Sequence, residues 1–152
     1  MNAPTKFLAT ILTAAVLLLV PGTQRAVSAD FPMPDDVTVT APGGEIPDEW
    51  AAFSGSWKGK WDSKAPIMYV VESIYPDGKA IIVYSWAKYQ PWNWKAGFER
   101  NVGAIQDNVL TFKNRHGTYT QQILESGKMR SDFVGEGRSK GVNGTSILKK
   151  QD

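Results

Sequence analysis

FSGSWKGKW, at residues 53–61, carries the clearest structural signal in this chain of 152 residues. It contains a Gly-x-Trp motif, in which Gly55 and Trp57 flank a serine, inside a run that is typical of a β-strand. Glycine lets one backbone approach another closely, while an indole ring can fill a cavity floor and donate its N–H to the chain. We therefore predict that Gly55 and Trp57 close one end of a small barrel.

A short helical turn is predicted just before this strand, at residues 46–53. Pro47 suits the first position of a helix, and acidic residues follow it where the helix dipole favours negative charge. Trp50 and Phe53 are three residues apart and would share one face. Such a turn can plug the end of the barrel.

Short strands separated by turn signals make up the rest of the chain, and Pro76-Asp77-Gly78 is a strong turn signal. The connections are too short for helical crossovers, so neighbouring strands should be antiparallel. Eight strands in a meander close into a barrel more readily than they leave two exposed edges. The predicted fold is an all-β, antiparallel, up-and-down eight-stranded β-barrel with a short N-terminal plug helix. The predicted strands are 54–62, 67–75, 80–87, 98–105, 109–113, 118–124, 129–135 and 144–149.

The first 29 residues are interpreted as a cleaved secretory signal peptide. Lys6 supplies a positive charge, residues 7–20 are apolar apart from two threonines, and small residues precede a cleavage site near Ala29. The apolar stretch is shorter than the roughly 20 residues that a membrane-spanning helix needs, so no membrane span is expected after cleavage. An uncleaved anchor is the alternative. The predicted organisation is a signal peptide (1–29), a flexible, acidic Pro/Gly-rich leader (30–45) and a barrel domain (46–152), in a periplasmic or secreted protein.

Removing the signal peptide changes the charge of the chain. The whole sequence has 17 Lys+Arg and 15 Asp+Glu, and because Lys6 and Arg25 lie in the signal, 15 of each remain. A neutral, exported chain with scattered basic residues disfavours nucleic-acid binding. The chain has no cysteine, so its stability must come from a packed core rather than from disulfides.

The plug helix, the Gly-x-Trp of the first strand, the eight sequential strands and Arg138 near the last strand resemble the lipocalin-like (calycin) superfamily. The resemblance covers roughly residues 46–150. Barrels of this kind often set an arginine across the indole of the motif, so the resemblance implies that Arg138 packs on Trp57. Ligand binding by this arginine is the alternative. The chain is shorter than true lipocalins, lacks a cysteine pair, and lacks the biotin-ligating residues of the related avidins.

An aromatic-rich segment at residues 84–95, YSWAKYQPWNWK, includes the longest predicted connection of the barrel. Aromatic rings at a barrel mouth form a stacking platform for a planar ligand, and lysines beside them can hold a carboxylate or a phosphate. In the alternative interpretation, Trp92 and Trp94 fold inward as a second plug. The candidate ligand-binding residues are Tyr84, Trp86, Lys88, Tyr89, Trp92, Trp94 and Lys95.

The second and third predicted strands, 67–75 and 80–87, are apolar on both faces. One face lines the barrel, so the outer face needs cover. The cover can come from the acidic leader, from a partner protein, or from a second copy of the chain in a homodimer.

Signatures of enzymes are weak in this sequence. The only histidine, His116, lies in a predicted turn, so neither a metal cluster nor a serine triad can be assembled around several imidazoles. Asp62 could still meet Glu72 or Glu99 across a barrel as a carboxylate pair. We predict no catalytic residue, no metal and no cofactor.

The sequence therefore favours an exported barrel that holds a small or hydrophobic ligand in its mouth, at the end away from Trp57 or at the Trp92 loop. The alternative is a barrel that inhibits a secreted or periplasmic enzyme, such as a protease or a lysozyme, through its leader or its Trp-rich loop. A hydrolase or isomerase acting through carboxylates is a third alternative.

Overall fold

The computed structural model describes residues 31–152, most of which form one curved sheet. The strands are β1 (Gly55–Lys60), β2 (Pro66–Ile74), β3 (Lys79–Trp86), β4 (Gly97–Gln106), β5 (Val109–Asn114), β6 (Gly117–Ile123), β7 (Met129–Gly135) and β8 (Asn143–Gln151). Each strand pairs antiparallel with the next, and β1 pairs with β8 to close the sheet. The predicted up-and-down eight-stranded barrel is confirmed. The predicted signal peptide, 1–29, lies outside the described residues.

The β2–β3, β4–β5 and β6–β7 turns lie at one end of the barrel, which we call the closed end. In the β2–β3 turn Gly78 has a φ of +83°, and the Asp77 carboxylate accepts a hydrogen bond of 3.0 Å from the backbone N–H of Lys79. Only Asp107 and Asn108 join β4 to β5, and their φ values of +48° and +59° suit the two-residue hairpin turns. The β1–β2, β3–β4, β5–β6 and β7–β8 connections lie at the opposite, open end.

A four-residue helical turn, α1 (Asp48–Ala51), precedes β1 at the closed end. No residue of α1 is fully buried, although Trp50 packs against the core. The flanking residues Ile46 and Phe53 are buried members of that core. The side chains on either side of the helical turn therefore enter the barrel end, while the turn itself lies at the surface.

Trp57 fills the closed end, and only 1% of its surface is exposed. Its Nε1–H donates a hydrogen bond of 2.8 Å to the carbonyl oxygen of Phe53. Gly55 lies between these two residues with a φ of +104°, a conformation that glycine adopts at no steric cost. The Lys150 ammonium lies 5.3 Å from the centroid of the Trp57 ring, a cation–π distance. Gly55 and Trp57 thus lie where the chain enters the barrel.

Arg138 does not take the position over Trp57 that the family resemblance implies. It lies in a 3₁₀ turn, Gly137–Ser139, within the β7–β8 connection at the open end. The strand that follows, β8, runs from the open end to the closed end and pairs Lys150 with Trp57. The cation beside the Trp57 indole is therefore Lys150, at the end of β8. Arg138 precedes β8 and lies at the opposite end of the barrel from Trp57.

Aliphatic side chains from all around the sheet fill the closed half of the barrel. They come from alternate positions of their strands, because successive side chains of a strand point to opposite faces. Burying one such side chain stabilises the fold by roughly 1.5–3 kcal/mol. The set includes Val71, Ile82, Ile105, Leu110, Met129 and Leu148, each at most 2% exposed.

The outer face of β2 and β3 is covered by residues 31–40 of the leader. Phe31 is 2% exposed, and the Ser85 hydroxyl donates a hydrogen bond of 2.6 Å to the carbonyl oxygen of Pro32. Further along, the N–H of Thr40 donates to the carbonyl oxygen of Glu72 at 2.7 Å. Of the three kinds of cover considered, the leader is the one that lies on this face, and a homodimer stays a prediction.

Arg100 joins the leader to the barrel wall through two carboxylates. Its guanidinium lies 2.8 Å from Asp36 Oδ1 in the leader and 2.8 Å from Glu72 Oε2 in β2. Glu72 also accepts a hydrogen bond of 3.2 Å from the backbone N–H of Thr38. Planar guanidinium groups suit such multiple carboxylate contacts, so this cluster fixes the register of the leader on the sheet.

We expect Arg100→Gln to bring the pKa of Asp36 back towards its ordinary value of 3.8, because the hydrogen bond from Arg100 is what lowers it. A lowered pKa in the folded state means that this contact stabilises the docked leader above pH 3.8 and is lost as the pH falls through the lowered value. Titration of the Asp36 carboxyl carbon by NMR measures the shift.

Arg130→Gln is the matched control, since Arg130 bonds to Asp132 on another part of the surface. It should leave the titration of Asp36 unchanged. An identical Asp36 titration in the wild type and in Arg100→Gln would contradict the docked arrangement.

Candidate functional site

A pocket of about 1070 Å³ opens at the end of the barrel opposite Trp57. All four connections of the open end contribute to its lining, together with the adjoining ends of the strands. The closed half of the barrel is filled, so the pocket occupies the open half and its mouth.

Aromatic side chains form the floor of the pocket. Tyr119 lies at its centre, with ring centroids 6.3 Å from Trp61, 5.3 Å from Tyr84 and 4.7 Å from Phe133. The Trp61 Nε1–H donates a hydrogen bond of 3.2 Å to the Tyr84 hydroxyl. Rings that pack against one another at tilted angles and are tied by a hydrogen bond present a fixed apolar surface.

The phenols of this floor are neutral at physiological pH. Burial raises the pKa of Tyr119 to about 12, and burial raises the pKa of Tyr84 further. Both phenols therefore act as hydrogen-bonding groups rather than as charged groups.

A buried polar layer lies directly beneath the aromatic floor. Gln121, Ser131 and Ser146 are paired across β6, β7 and β8, and none is more than 1% exposed. The Tyr69 hydroxyl lies 3.2 Å from Ser131 Oγ. The Gln121 amide lies beside Tyr69 in the same layer. This layer separates the pocket from the aliphatic core.

The Trp-rich loop between β3 and β4 forms one side of the mouth. Tyr89 and Trp94 exchange two backbone hydrogen bonds, of 3.1 and 3.0 Å, around a 3₁₀ turn at Gln90–Trp92. Trp92 and Trp94 pack edge to face with centroids 4.8 Å apart, and they remain 47% and 37% exposed. The two indoles therefore lie at the rim and line the pocket, so they do not form the inward plug of the alternative interpretation.

Two side-chain contacts fix this loop to the barrel. The Tyr89 hydroxyl donates to the carbonyl oxygen of Ser63 in the β1–β2 connection, and the Trp86 indole N–H donates to the carbonyl oxygen of Lys95 at 2.9 Å. A Cβ at Gly97 would come within 2.6 Å of the Trp86 ring, so Trp86 packs directly on the backbone of β4. The rim is thus held in place from two sides.

The structure gathers most of the predicted ligand-binding residues around this pocket. Tyr89 supports the Trp92 and Trp94 rings from behind without lining the pocket, and Lys88 is exposed outside it. Their roles in binding stay predictions. The predicted residues that line the pocket are Tyr84, Trp86, Trp92, Trp94 and Lys95.

Several lining residues from the other three connections and from the adjoining strand ends were not identified from the sequence. In an up-and-down barrel, every second connection lies at the same end. The strand order alone therefore indicates that the β1–β2, β3–β4, β5–β6 and β7–β8 connections surround one mouth. Sequence patterns do not show which of their side chains turn inward. The residues missed include Trp61, Arg115, His116 and Phe133, and Arg138 was predicted at the closed end.

Three cationic side chains and one acidic side chain line the mouth. Arg115 lies 3.3 Å from the Glu99 carboxylate, and its Nε–H donates to His116 Nε2 at 3.1 Å. The acid, Asp62, accepts backbone N–H groups from Ser63 at 2.8 Å and from Thr145 at 3.3 Å. The mouth therefore carries an excess of positive charge.

The carboxylates that could have formed a pair lie in different environments. Asp62 lines the pocket, whereas Glu72 is on the outer wall with Arg100, and Glu99 accepts a hydrogen bond of 2.8 Å from Asn114. Among residues 31–152, no group of three or more His, Asp or Glu side chains is arranged to hold a metal ion.

Comparison with known proteins does not assign the chain to a family. No protein-family model matches it, and no curated protein or solved structure gives a match. The functional argument therefore depends on the geometry of the pocket.

We expect Trp57→Ala to lower the free energy of unfolding by about 3–5 kcal/mol, because it removes a fully buried indole and leaves a cavity. Trp92→Ala makes the same chemical change at the rim, where the ring is 47% exposed, and should cost less than about 1 kcal/mol. Urea unfolding followed by circular dichroism measures both values. Equal losses for the two variants would contradict the assignment of closed and open ends.

Proposed function

We propose that this chain is an exported, lipocalin-like binding barrel that holds a small hydrophobic or planar molecule in its open end. The observation that carries the proposal is the pocket of about 1070 Å³ above a floor of aromatic rings. Ligand pockets are concave, mostly apolar, and roughly 300–1,000 Å³ in volume. The pocket is slightly larger than that range, and its mouth is open to solvent.

Because the pocket occupies only the open half of the barrel, it favours a ligand that inserts one end into the barrel and leaves the other end at the mouth. The buried layer around Gln121 and the aliphatic core below it fill the closed half, so a ligand would rest on the Tyr119 floor. Trp92 and Trp94, at the rim, would contact its outer part. Aromatic side chains at two levels suit a flat ring system, which can stack at both.

Export is part of the same proposal. It is supported by the signal-like sequence at 1–29, and it implies a periplasmic or secreted location. None of the helices within residues 31–152 has the length and apolar character to cross a membrane.

N-phenyl-1-naphthylamine, an uncharged aromatic dye that fluoresces in apolar sites, tests the proposal. We expect it to bind the wild-type protein and to quench tryptophan fluorescence, because four indoles line the pocket. The double variant Trp92→Ala/Trp94→Ala should bind it about tenfold more weakly, since two stacking contacts are lost. Fluorescence titration gives the dissociation constants.

Tyr75→Ala is the matched control, because Tyr75 is an exposed aromatic residue, 40% accessible, in the turn at the closed end. It should leave binding unchanged. The proposal fails if the wild-type protein does not bind the dye, or if the Tyr75 variant loses as much affinity as the double variant.

Inhibition of a secreted or periplasmic enzyme is the second candidate function. It is favoured by the exposure of Trp92 at the tip of a loop whose base is fixed to the barrel, since exposed aromatic anchors are common in protein interfaces. The leader is a weaker candidate for insertion into an enzyme, because Phe31 and Asp36 contact the barrel wall. Absence of dye binding together with inhibition of a protease or a lysozyme would favour this function.

A further inference from the structure

From the charge pattern of the mouth we infer that the ligand is an organic anion: a flat apolar body with one carboxylate, sulfonate or phosphate group held by Arg138 and Lys95. The inference rests on the proposed binding function, and it specifies the class of ligand. The apolar body would lie on the aromatic floor, while the anionic group would remain at the rim.

Arg138 differs from the other arginines of the described chain in having no partner. Arg100, Arg115 and Arg130 each form an ion pair with a carboxylate within residues 31–152. Arg138 forms neither an ion pair nor a side-chain hydrogen bond there, although it lines the pocket. A guanidinium group presents a planar fork of donors that matches carboxylate, sulfonate and phosphate groups, so Arg138 is available for such a group.

The other charged groups of the mouth leave the excess positive charge on Arg138 and Lys95. Three cations and one acid give a net lining charge of 3 − 1 = +2. Arg115 is paired with Glu99, which lies outside the lining, and the Asp62 carboxylate is engaged by two backbone N–H groups. The ammonium of Lys95 is without an ion pair in the described part of the chain and comes from the opposite side of the mouth.

The backbone of the β7–β8 connection holds Arg138 at the rim. The N–H of Gly135 donates a hydrogen bond of 2.8 Å to the carbonyl oxygen of Val142. The N–H of Val142 donates one of 2.9 Å to the carbonyl oxygen of Ser139. Gly137 has a φ of +55°, and a Cβ at Gly135 would come within 2.0 Å of the Ser139 carbonyl oxygen. The glycines thus allow a tight, hydrogen-bonded turn, which fixes where the arginine side chain begins.

A pair of dyes separates the anionic group from the aromatic body. 8-Anilinonaphthalene-1-sulfonate and N-phenyl-1-naphthylamine share one ring system and differ by a sulfonate. We expect Arg138→Gln to weaken binding of the sulfonate about tenfold and to change binding of the uncharged dye less than twofold. Arg138→Lys keeps the charge, so it should retain part of the affinity for the sulfonate dye that Arg138→Gln loses. Added salt should weaken binding of the sulfonate dye and leave binding of the uncharged dye unchanged.

Lys128→Gln is the control for charge alone, since Lys128 is exposed in the β6–β7 turn at the closed end and lies outside the pocket. It should leave both dissociation constants unchanged, whereas Lys95→Gln should weaken the sulfonate selectively. If both dyes bind the wild-type protein and Arg138→Gln affects neither or both equally, the inference is wrong and the binding function stands. If neither dye binds, the proposed function fails and the inference fails with it.

Discussion

The burial of Trp57, with its indole N–H bonded to the carbonyl oxygen of Phe53, decides which end of this barrel is closed. A small eight-stranded barrel has an interior that side chains can just fill, and a bulky ring at one end anchors that filling. Gly55 allows the chain to enter β1 at this point, and Lys150 of the last strand meets the ring from the opposite side of the seam. The aliphatic core then builds upward from Trp57.

The open half of the barrel begins where the aliphatic core above Trp57 ends. The boundary is the polar layer formed by Gln121, Ser131 and Ser146. Above this layer the inward positions carry aromatic rings, which pack against one another around Tyr119. Rings of this size leave space between themselves and the connections of the open end. The pocket therefore lies above the level at which the aliphatic core ends, on the aromatic side chains of the open half.

Much of this architecture could be predicted from the sequence, since alternation and turn residues are local signals. The Gly-x-Trp motif and the short connections indicated the barrel, and the Trp-rich loop was placed at one side of the mouth. Contacts between distant segments could not be predicted, because pattern carries no information about them: Arg100 meets Asp36 across 64 residues. Arg138 was misplaced for the same reason, since the direction of β8 decides which residue reaches Trp57.

Fluorine NMR of protein labelled with 5-fluorotryptophan tests the central claim most directly, because the six tryptophans of the chain report on both ends of the barrel. On titration with N-phenyl-1-naphthylamine, the account predicts that the resonances of the four pocket tryptophans shift while those of Trp50 and Trp57 stay in place. Tryptophan-to-phenylalanine variants assign the signals. Shifts at Trp57 that match those at the rim would contradict a barrel that is closed at one end and binds at the other.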